Sequence, residues 1–333
     1  MIRKILRDNE IINPLLRSAL RFMQSVFKSL KWLTSRYRVY GTVKLNVLDV
    51  SFKIYTLADD HIATEIFYHQ GYEADEFNLV KELTKNSHFF IDVGANTGIF
   101  SIYAATANPS LKVLSFEPHP SNFIRFKKNI FLNQLTNVAP FPLALGAEEK
   151  TIQFTVPADH SLSTTSSANE NFTEHFHNMV YEKIKVNQST LDIALQDHLI
   201  TACDLLKIDV EYYELDVLRG AIKTLSEKRP LVLIEILQYD RLVKQFPEMK
   251  GKLNENHAMD ILMLLLQFGY FPYSIENMGV RALHSELGEQ TNRNFLFIPK
   301  KIDGDFLTFA AVREALINLS EGLIPKVTHP SNA

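Results

Sequence analysis

The first group of residues that could bind a ligand lies in FFIDVGANTGIFSIYAA, residues 89–105. An apolar strand is predicted to end at Asp92, and a turn from Gly94 to Gly98 leads into an amphipathic helix. Glycine lets the backbone turn sharply and lets a ligand approach closely. The free N–H groups at the start of a helix suit a carboxylate or a phosphate. The pattern therefore predicts a site for a small anion or a zwitterion.

A second carboxylate, Glu117, follows 19 positions after Gly98, in VLSFEPHP at the predicted end of the next strand. A carboxylate at that place can accept both hydroxyls of a ribose. The turn reads G-x-x-x-G, so it lacks the G-x-G-x-x-G pattern that binds a pyrophosphate, and no G-K-[ST] follows it. A nucleoside with a short amino-acid arm fits these residues better than NAD or ATP.

Strand-like and helix-like segments alternate around these residues. Mostly uninterrupted apolar strands separated by helices predict an α/β fold with a doubly wound, mostly parallel sheet covered on both faces. Segments 271–275 and 294–299 are predicted to close the sheet as an antiparallel pair. The other predicted strands are 88–93, 112–116, 138–143, 204–210 and 230–236, and the predicted helices lie near 99–107, 119–132, 212–226 and 257–268.

Other segments extend this pattern. Residues 151–156 and 181–186 predict two additional strands, and the long polar stretch between them is either a solvated loop or a flap over the site. Residues 42–57 predict a hairpin. Residues 15–33 predict a basic amphipathic helix. One alternative is that this helix packs on its own domain or on a second subunit of a homo-oligomer. The other is that residues 1–36 attach to an anionic membrane.

The predicted organisation has four parts. An N-terminal helix covers residues 1–40, a hairpin and helical lead-in covers 41–84, the ligand-binding domain covers 85–300, and a C-terminal helix and tail cover 301–333.

Composition limits the function. The single cysteine excludes an intrachain disulfide or a cysteine-rich zinc site and fits a reducing cytoplasm. The net charge of −3 combines an N-terminal segment, residues 1–40, at +7 with a remainder at −10. An acidic body argues against a nucleic-acid substrate. The predicted location is cytoplasmic, with peripheral contact at the inner membrane face if the N-terminal helix binds lipid.

Three motifs in order resemble the FkbM-type methyltransferases, over about residues 71–299. They are DVGANTG, then FEPHPSNFIRFKKNIFLN, then LLKIDVEYYELDVLRGA with RPLVLIEI. The resemblance implies a class I methyltransferase-like fold with a seven-stranded sheet that binds S-adenosylmethionine over the carboxyl ends of its first two strands. On that basis the ribose contacts Glu117, the site is also lined by Glu73, and the methionine portion is held by Asp92, Gly94, Ala95, Asn96 and Gly98.

One residue departs from the family pattern. After the fourth strand the family usually reads DVEG, and this chain has Tyr212 at the glycine position. A tyrosine there would reshape the acceptor pocket if the glycine provides a positive φ or free space. Tyr212 is therefore a candidate substrate-binding residue.

The acceptor side is predicted at the ends of the fourth and fifth strands. Asp209 and Glu211 are candidate catalytic bases, since a carboxylate can remove the proton of a hydroxyl acceptor. Alternatively, Glu211 stabilises the start of the following helix and Asp209 forms a structural hydrogen bond. Glu235 either binds the acceptor or is structural. No metal is predicted, because a divalent cation on Asp209 and Glu211 would need further oxygen ligands.

The leading functional hypothesis is O-methylation of a hydroxyl on a small molecule or a glycan. An N-methyltransferase on the same fold is the first alternative, although no N-P-P-[YF] run is present. A nucleoside-binding or membrane-associated module without catalysis is the second. An NAD-dependent dehydrogenase is disfavoured by the glycine pattern.

Overall fold

The computed structural model describes residues 12–26, 38–57, 61–69, 73–158, 166–169, 172, 180–276, 278–283 and 293–321. The strands are β1 (Tyr40–Val47), β2 (Val50–Leu57), β3 (Phe89–Val93), β4 (Lys112–Phe116), β5 (Val138–Phe141), β6 (Ala144–Leu145), β7 (Lys150–Pro157), β8 (Tyr181–Ser189), β9 (Leu205–Ile208), β10 (Leu231–Glu235), β11 (Phe271–Glu276), β12 (Gly279–Ala282), β13 (Asn294–Ile298) and β14 (Phe306–Thr308). The α-helices are α1 (Ile12–Val26), α2 (His61–His69), α3 (Ala74–Thr84), α4 (Ile99–Ala107), α5 (Pro120–Leu132), α6 (Leu191–Asp197), α7 (Glu214–Arg219), α8 (Tyr239–Gln245), α9 (His257–Gln267) and α10 (Phe309–Glu321).

The central sheet has nine strands in the order β14-β12-β11-β13-β10-β9-β3-β4-β5. Strands β5, β4, β3, β9 and β10 are parallel, and β13, β11, β12 and β14 continue the sheet in antiparallel pairs. The central strands are buried on both faces, as their continuous apolar sequences require. The doubly wound α/β fold and the antiparallel pairing of β11 with β13 are confirmed.

Seven of these strands form the predicted class I methyltransferase-like sheet. The other two, β12 and β14, extend its antiparallel edge and were not predicted, because strands of four and three residues carry little periodicity. The predicted helix 212–226 is also shorter than expected. It consists of α7 followed by a π-helical turn, Thr224–Lys228.

The chain order reverses at β3, which has β4 on one side and β9 on the other. In open α/β sheets, ligands bind outside the carboxyl ends of the strands at such a reversal. The residues that follow β3, β4, β9 and β10 therefore meet at one edge of the sheet.

A small second sheet carries the additional strands predicted from residues 151–156 and 181–186. It has the order β6-β8-β7, with β7 antiparallel to β8. In the described part of the polar stretch between them, Ser167 forms an isolated antiparallel bridge with Thr155 of β7. This places Ser167 beside β7 of the small sheet.

The predicted hairpin is present as β1 and β2, and it packs against the domain. The amide groups of Lys53 and Tyr55 donate hydrogen bonds of 2.7 Å to the side chains of Asn133 and Asn129, near the end of α5. The hairpin thus supports the helix that follows Glu117.

Helix α1 covers part of the predicted basic amphipathic helix, and residues 27–33 lie outside the described residues. The Arg17 guanidinium donates to the carbonyl oxygens of Tyr40 and Thr42, and the Arg17 and Arg21 guanidinium groups lie over the ring of Phe67. Two basic side chains of this helix are thereby engaged by its own protein. The contact with a membrane stays a prediction. None of the helices in the described ranges has the length and apolar character that crossing a bilayer requires.

Candidate active site

A cavity of about 730 Å³ opens at the carboxyl ends of β3, β4, β9 and β10. It brings together nine of the residues singled out in the sequence. Gly98 and Tyr212 are outside its lining. The nine are Glu73, Asp92, Gly94, Ala95, Asn96, Glu117, Asp209, Glu211 and Glu235.

The glycine turn brings the end of β3 close to the end of β9. Gly94 has φ +82°, and a Cβ atom there would lie 1.8 Å from the carbonyl oxygen of Asp209. Gly98 has φ +84°, and its Cβ would lie 2.0 Å from the ring of Phe126. Gly94 thus permits a close backbone approach inside the site, whereas Gly98 lets α4 pack against α5 outside the cavity.

We expect Gly94→Ala to lower the free energy of unfolding by about 3 kcal/mol or more, because a backbone carbonyl cannot move aside as a flexible side chain can. Gly251→Ala is the matched control, since Gly251 also has a positive φ, +73°, but nothing lies within 4 Å of its Cβ position. That control should cost only about 1 kcal/mol. Denaturant unfolding measures both, and equal losses would contradict the close-approach argument.

Glu117 is fixed by two backbone hydrogen bonds at the end of β4. One carboxylate oxygen accepts from the amide of Asn96 and the other from the amide of His119, each at 2.8 Å. The side chain is 5% exposed. Burial raises the pKa of Glu117 to about 7, against the lowering effect of these hydrogen bonds. The Asn122 side chain also hydrogen-bonds this carboxylate, which keeps the capacity to accept from a ligand hydroxyl.

Asp92 is buried beneath the glycine turn. One of its oxygens accepts a 2.5 Å hydrogen bond from Ser101 Oγ, while Oδ1 has no hydrogen-bond partner among the described residues. Burial raises the pKa of Asp92, and nearby Lys207 opposes that rise. Asn96 Oδ1 is likewise buried and unpartnered among the described residues. Since buried polar atoms are normally paired, these two acceptors suit a ligand with an ammonium or other donor group.

Three carboxylates meet at the part of the cavity where the sequence predicts the acceptor side. Asp209, Glu211 and Glu235 each place an oxygen within 4.8 Å of the others. Lys207 Nζ lies 2.8 Å from Asp209. Burial, followed by repulsion from Asp209, raises the pKa values of Glu211 and Glu235 well above the ordinary range. Such a group retains a proton where isolated carboxylates would be ionised.

The spacing of these three oxygens could also hold a divalent cation. The sequence did not reveal Glu235 as a third oxygen ligand, because it is separated from Glu211 by a helix and a strand.

Lys207 also balances the acidic lining. Burial lowers its pKa, but the attraction of Asp209 and Asp92 is stronger and raises the pKa overall.

Glu76, Arg293 and Asn294 were missed by the sequence reasoning, although they line the cavity too. The Asn294 side chain donates a 3.0 Å hydrogen bond to Glu76. Asn294 is the first residue of β13, and its position at the end of an apolar strand is the one sequence signal that could have marked it as a lining residue.

Tyr212 is buried beside the cavity rather than in its lining. It has φ +70°, and Glu211 before it has φ +54°, so the chain keeps here the conformation that glycine favours. The carboxylate at the start of α7 is Glu214, which accepts from the amide of Tyr212 at 3.0 Å. Glu211 lies before α7, whose first turn carries the carboxylates of Glu214 and Asp216.

Comparisons with known proteins identify a family for this chain. A family model described as the methyltransferase FkbM domain matches residues 92–272. A protein named Methyltransferase 1 from Beauveria bassiana is 28% identical over 199 residues, covering 56% of this chain and 73% of that protein. Methyltransferase sdnD from Sordaria araneosa is 30% identical over 156 residues, covering 40% of this chain and 60% of that protein.

Among solved structures, the FkbM methyltransferase from Methylobacillus flagellatus is 16% identical with a TM-score of 0.37, covering 64% of this chain and 43% of that one. The O-methyltransferase TomG from Streptomyces achromogenes, solved with SAM, is 10% identical with a TM-score of 0.37, covering 67% of this chain and 77% of that one. Likeness at this level says nothing about the acceptor. The family model, however, spans more than half of the 333 residues. The chain therefore belongs to the FkbM methyltransferase family.

Proposed function

We propose that this protein transfers the methyl group of S-adenosylmethionine to a hydroxyl oxygen of a small molecule or a glycan. The observation that carries the proposal is the shared cavity. It joins the glycine turn and Glu117 to the carboxylates Glu211 and Glu235.

The cofactor side of the cavity suits S-adenosylmethionine. Glu117 would accept the ribose hydroxyls, and the unpartnered oxygens of Asp92 and Asn96 would accept from donors of the methionine portion. The bound cofactor supplies an electrophilic methyl group. The protein's contribution is to bind and orient both reactants, since methyl transfer depends mainly on their alignment.

The acceptor side suits a hydroxyl. A hydroxyl is a weak nucleophile until its proton is removed, and a general base works best when its pKa is near the working pH. The pKa values of Glu211 and Glu235 are raised, and are thus shifted from the ordinary carboxylate range toward neutral pH. Glu211 would take the acceptor proton and Glu235 would hold the acceptor, while Lys207 keeps Asp209 oriented.

Calorimetric titration with S-adenosylmethionine, and separately with NADH, tests the cofactor. We expect binding of S-adenosylmethionine alone. Incubation with methyl-labelled S-adenosylmethionine and a panel of glycan and polyketide hydroxyls, with and without a chelator, then tests the transfer. Labelled methyl ethers would support the proposal. Labelled amines would favour N-methylation, and cofactor binding without transfer to any acceptor would favour a module that lacks catalysis.

A further inference from the structure

A short part of the polar stretch lies against the acceptor side of the cavity. We call residues 166–169 the capping strip. Ser167 Oγ donates a 2.6 Å hydrogen bond to the carbonyl oxygen of Glu211, and Asn169 Nδ2 donates one of 3.2 Å to that of Tyr212. Ser166 and Ala168 line the cavity. The strip is therefore attached to the same turn that carries the Glu211 carboxylate.

An aromatic stack secures this attachment. The rings of Phe172 and Tyr212 are stacked, with centroids 5.8 Å apart and an interplanar angle of 10°. Tyr212 also stacks on His257, at 4.2 Å and 17°. Phe172 is fully buried, three residues after the capping strip. The tyrosine thus connects the segment of the strip with α9.

Hydrogen bonds fix the tyrosine from the other side. Tyr212 Oη donates to the carbonyl oxygen of Asn254 at 2.8 Å. Glu214 accepts from the Tyr212 amide through one oxygen and lies 2.8 Å from His257 Nε2 through the other. A positive φ is unfavourable for a residue with a side chain. The stack and these hydrogen bonds offset that cost at Tyr212.

We propose that Tyr212 and Phe172 are positioning residues, whose stack holds the capping strip over the acceptor side and fixes the turn that presents Glu211. The consequence for catalysis rests on the proposed function. A glycine at position 212 would allow the same backbone conformation without the stack. The tyrosine instead holds the capping strip in place, so that Ser166 and Ala168 form a fixed part of the cavity wall that restricts the acceptors that fit.

Hydrogen exchange tests the positioning without any acceptor. The amides to follow are those of Ser167 and Asn169, which donate to Thr155 O and to Ser167 Oγ. We expect their exchange to accelerate ~10-fold or more in Phe172→Ala and Tyr212→Gly, and to stay near wild type in Tyr212→Phe, which keeps the stack. Leu195→Ala is the control, because it removes a buried side chain of α6 outside the cavity lining. Unchanged exchange in both stack variants, or the same acceleration in Leu195→Ala, would overturn the proposal.

Methyl-transfer kinetics test the effect on Glu211. With an acceptor from the screen, Tyr212→Gly should lower kcat ~10-fold or more and Tyr212→Phe should restore it, while the Kd for S-adenosylmethionine changes by less than about threefold. An equal loss of kcat in Tyr212→Gly and Tyr212→Phe would contradict the proposal that the aromatic stack positions Glu211. If no cofactor binds, the proposed function fails, and the exchange result still decides whether the stack holds the strip.

Discussion

Glu211→Gln should lower the rate constant of methyl transfer about 10²–10⁴-fold while leaving the Kd for S-adenosylmethionine unchanged. The amide keeps the size of the side chain but cannot remove the proton of an acceptor hydroxyl. Single-turnover transfer of labelled methyl, at saturating cofactor and acceptor, measures the step directly. Because the pKa of Glu211 is raised, the unprotonated base becomes available as pH rises. The acidic limb of the wild-type pH profile should therefore lie above the ordinary range of a glutamate.

Matched variants show which carboxylate is the general base. Glu235→Gln removes a neighbouring carboxylate of the same cavity, and Glu227→Gln removes an exposed one in the π-helical turn. We expect Glu235→Gln to act mainly on the KM of the acceptor and Glu227→Gln to have no effect. A large loss of kcat in Glu235→Gln alone would transfer the role of base to Glu235. Wild-type rates in Glu211→Gln would exclude it as the base.

Glu117→Ala should weaken S-adenosylmethionine binding about 100-fold, because two charge-assisted hydrogen bonds to the ribose are lost. Calorimetric titration measures this loss, with Glu227→Ala as the control on an exposed glutamate. The variant also removes the acceptor for the Asn96 and His119 amides, so the unfolding transition must be recorded beside the affinity. An intact fold with wild-type affinity would show that the ribose does not use Glu117.

The affinity should also depend on pH in the wild type. Since burial raises the pKa of Glu117 to about 7, the carboxyl becomes protonated as pH falls through that value and then accepts hydrogen bonds less well. The Kd should rise by up to about tenfold for each pH unit below the pKa and level off above it. Glu117→Gln should show a flatter dependence. A wild-type Kd that is constant from pH 6 to pH 8 would mean that ribose binding does not require the ionised form.

The residues of the proposed cofactor side could be brought to one edge of the sheet from the sequence alone, because their signals are local. Asp92 lies near the end of a strongly apolar strand, and Gly94 and Glu117 each directly follow one. The reversal of strand order brings these strand ends together. The central strands are continuous apolar runs, which fix the sheet and its parallel pairing in the same way. The weakly periodic strands β12 and β14 gave no comparable signal.

The acceptor side depends on contacts between distant segments. Phe172 meets Tyr212 across 40 positions, and Tyr212 meets His257 across 45. No periodicity relates such residues, because side-chain packing rather than backbone pattern selects their pairing. The nearness of Glu235 to Glu211 likewise follows from neighbouring strands, whose register the sequence does not specify. The sequence therefore predicted the common location of Asp209, Glu211 and Glu235 better than the contacts that surround them.

The cavity wall extends beyond the segment that the family model matches. Residues 92–272 supply the glycine turn and the carboxylates, whereas Arg38, Glu73 and Glu76 before it and Arg293 and Asn294 after it complete the lining. Under the proposed function, the matched segment would carry the transfer chemistry, and the flanks would shape the space left for the acceptor. An exchange of the flank after residue 272 between two members of the family would then change acceptor preference while the glycine turn and Glu117 stay the same.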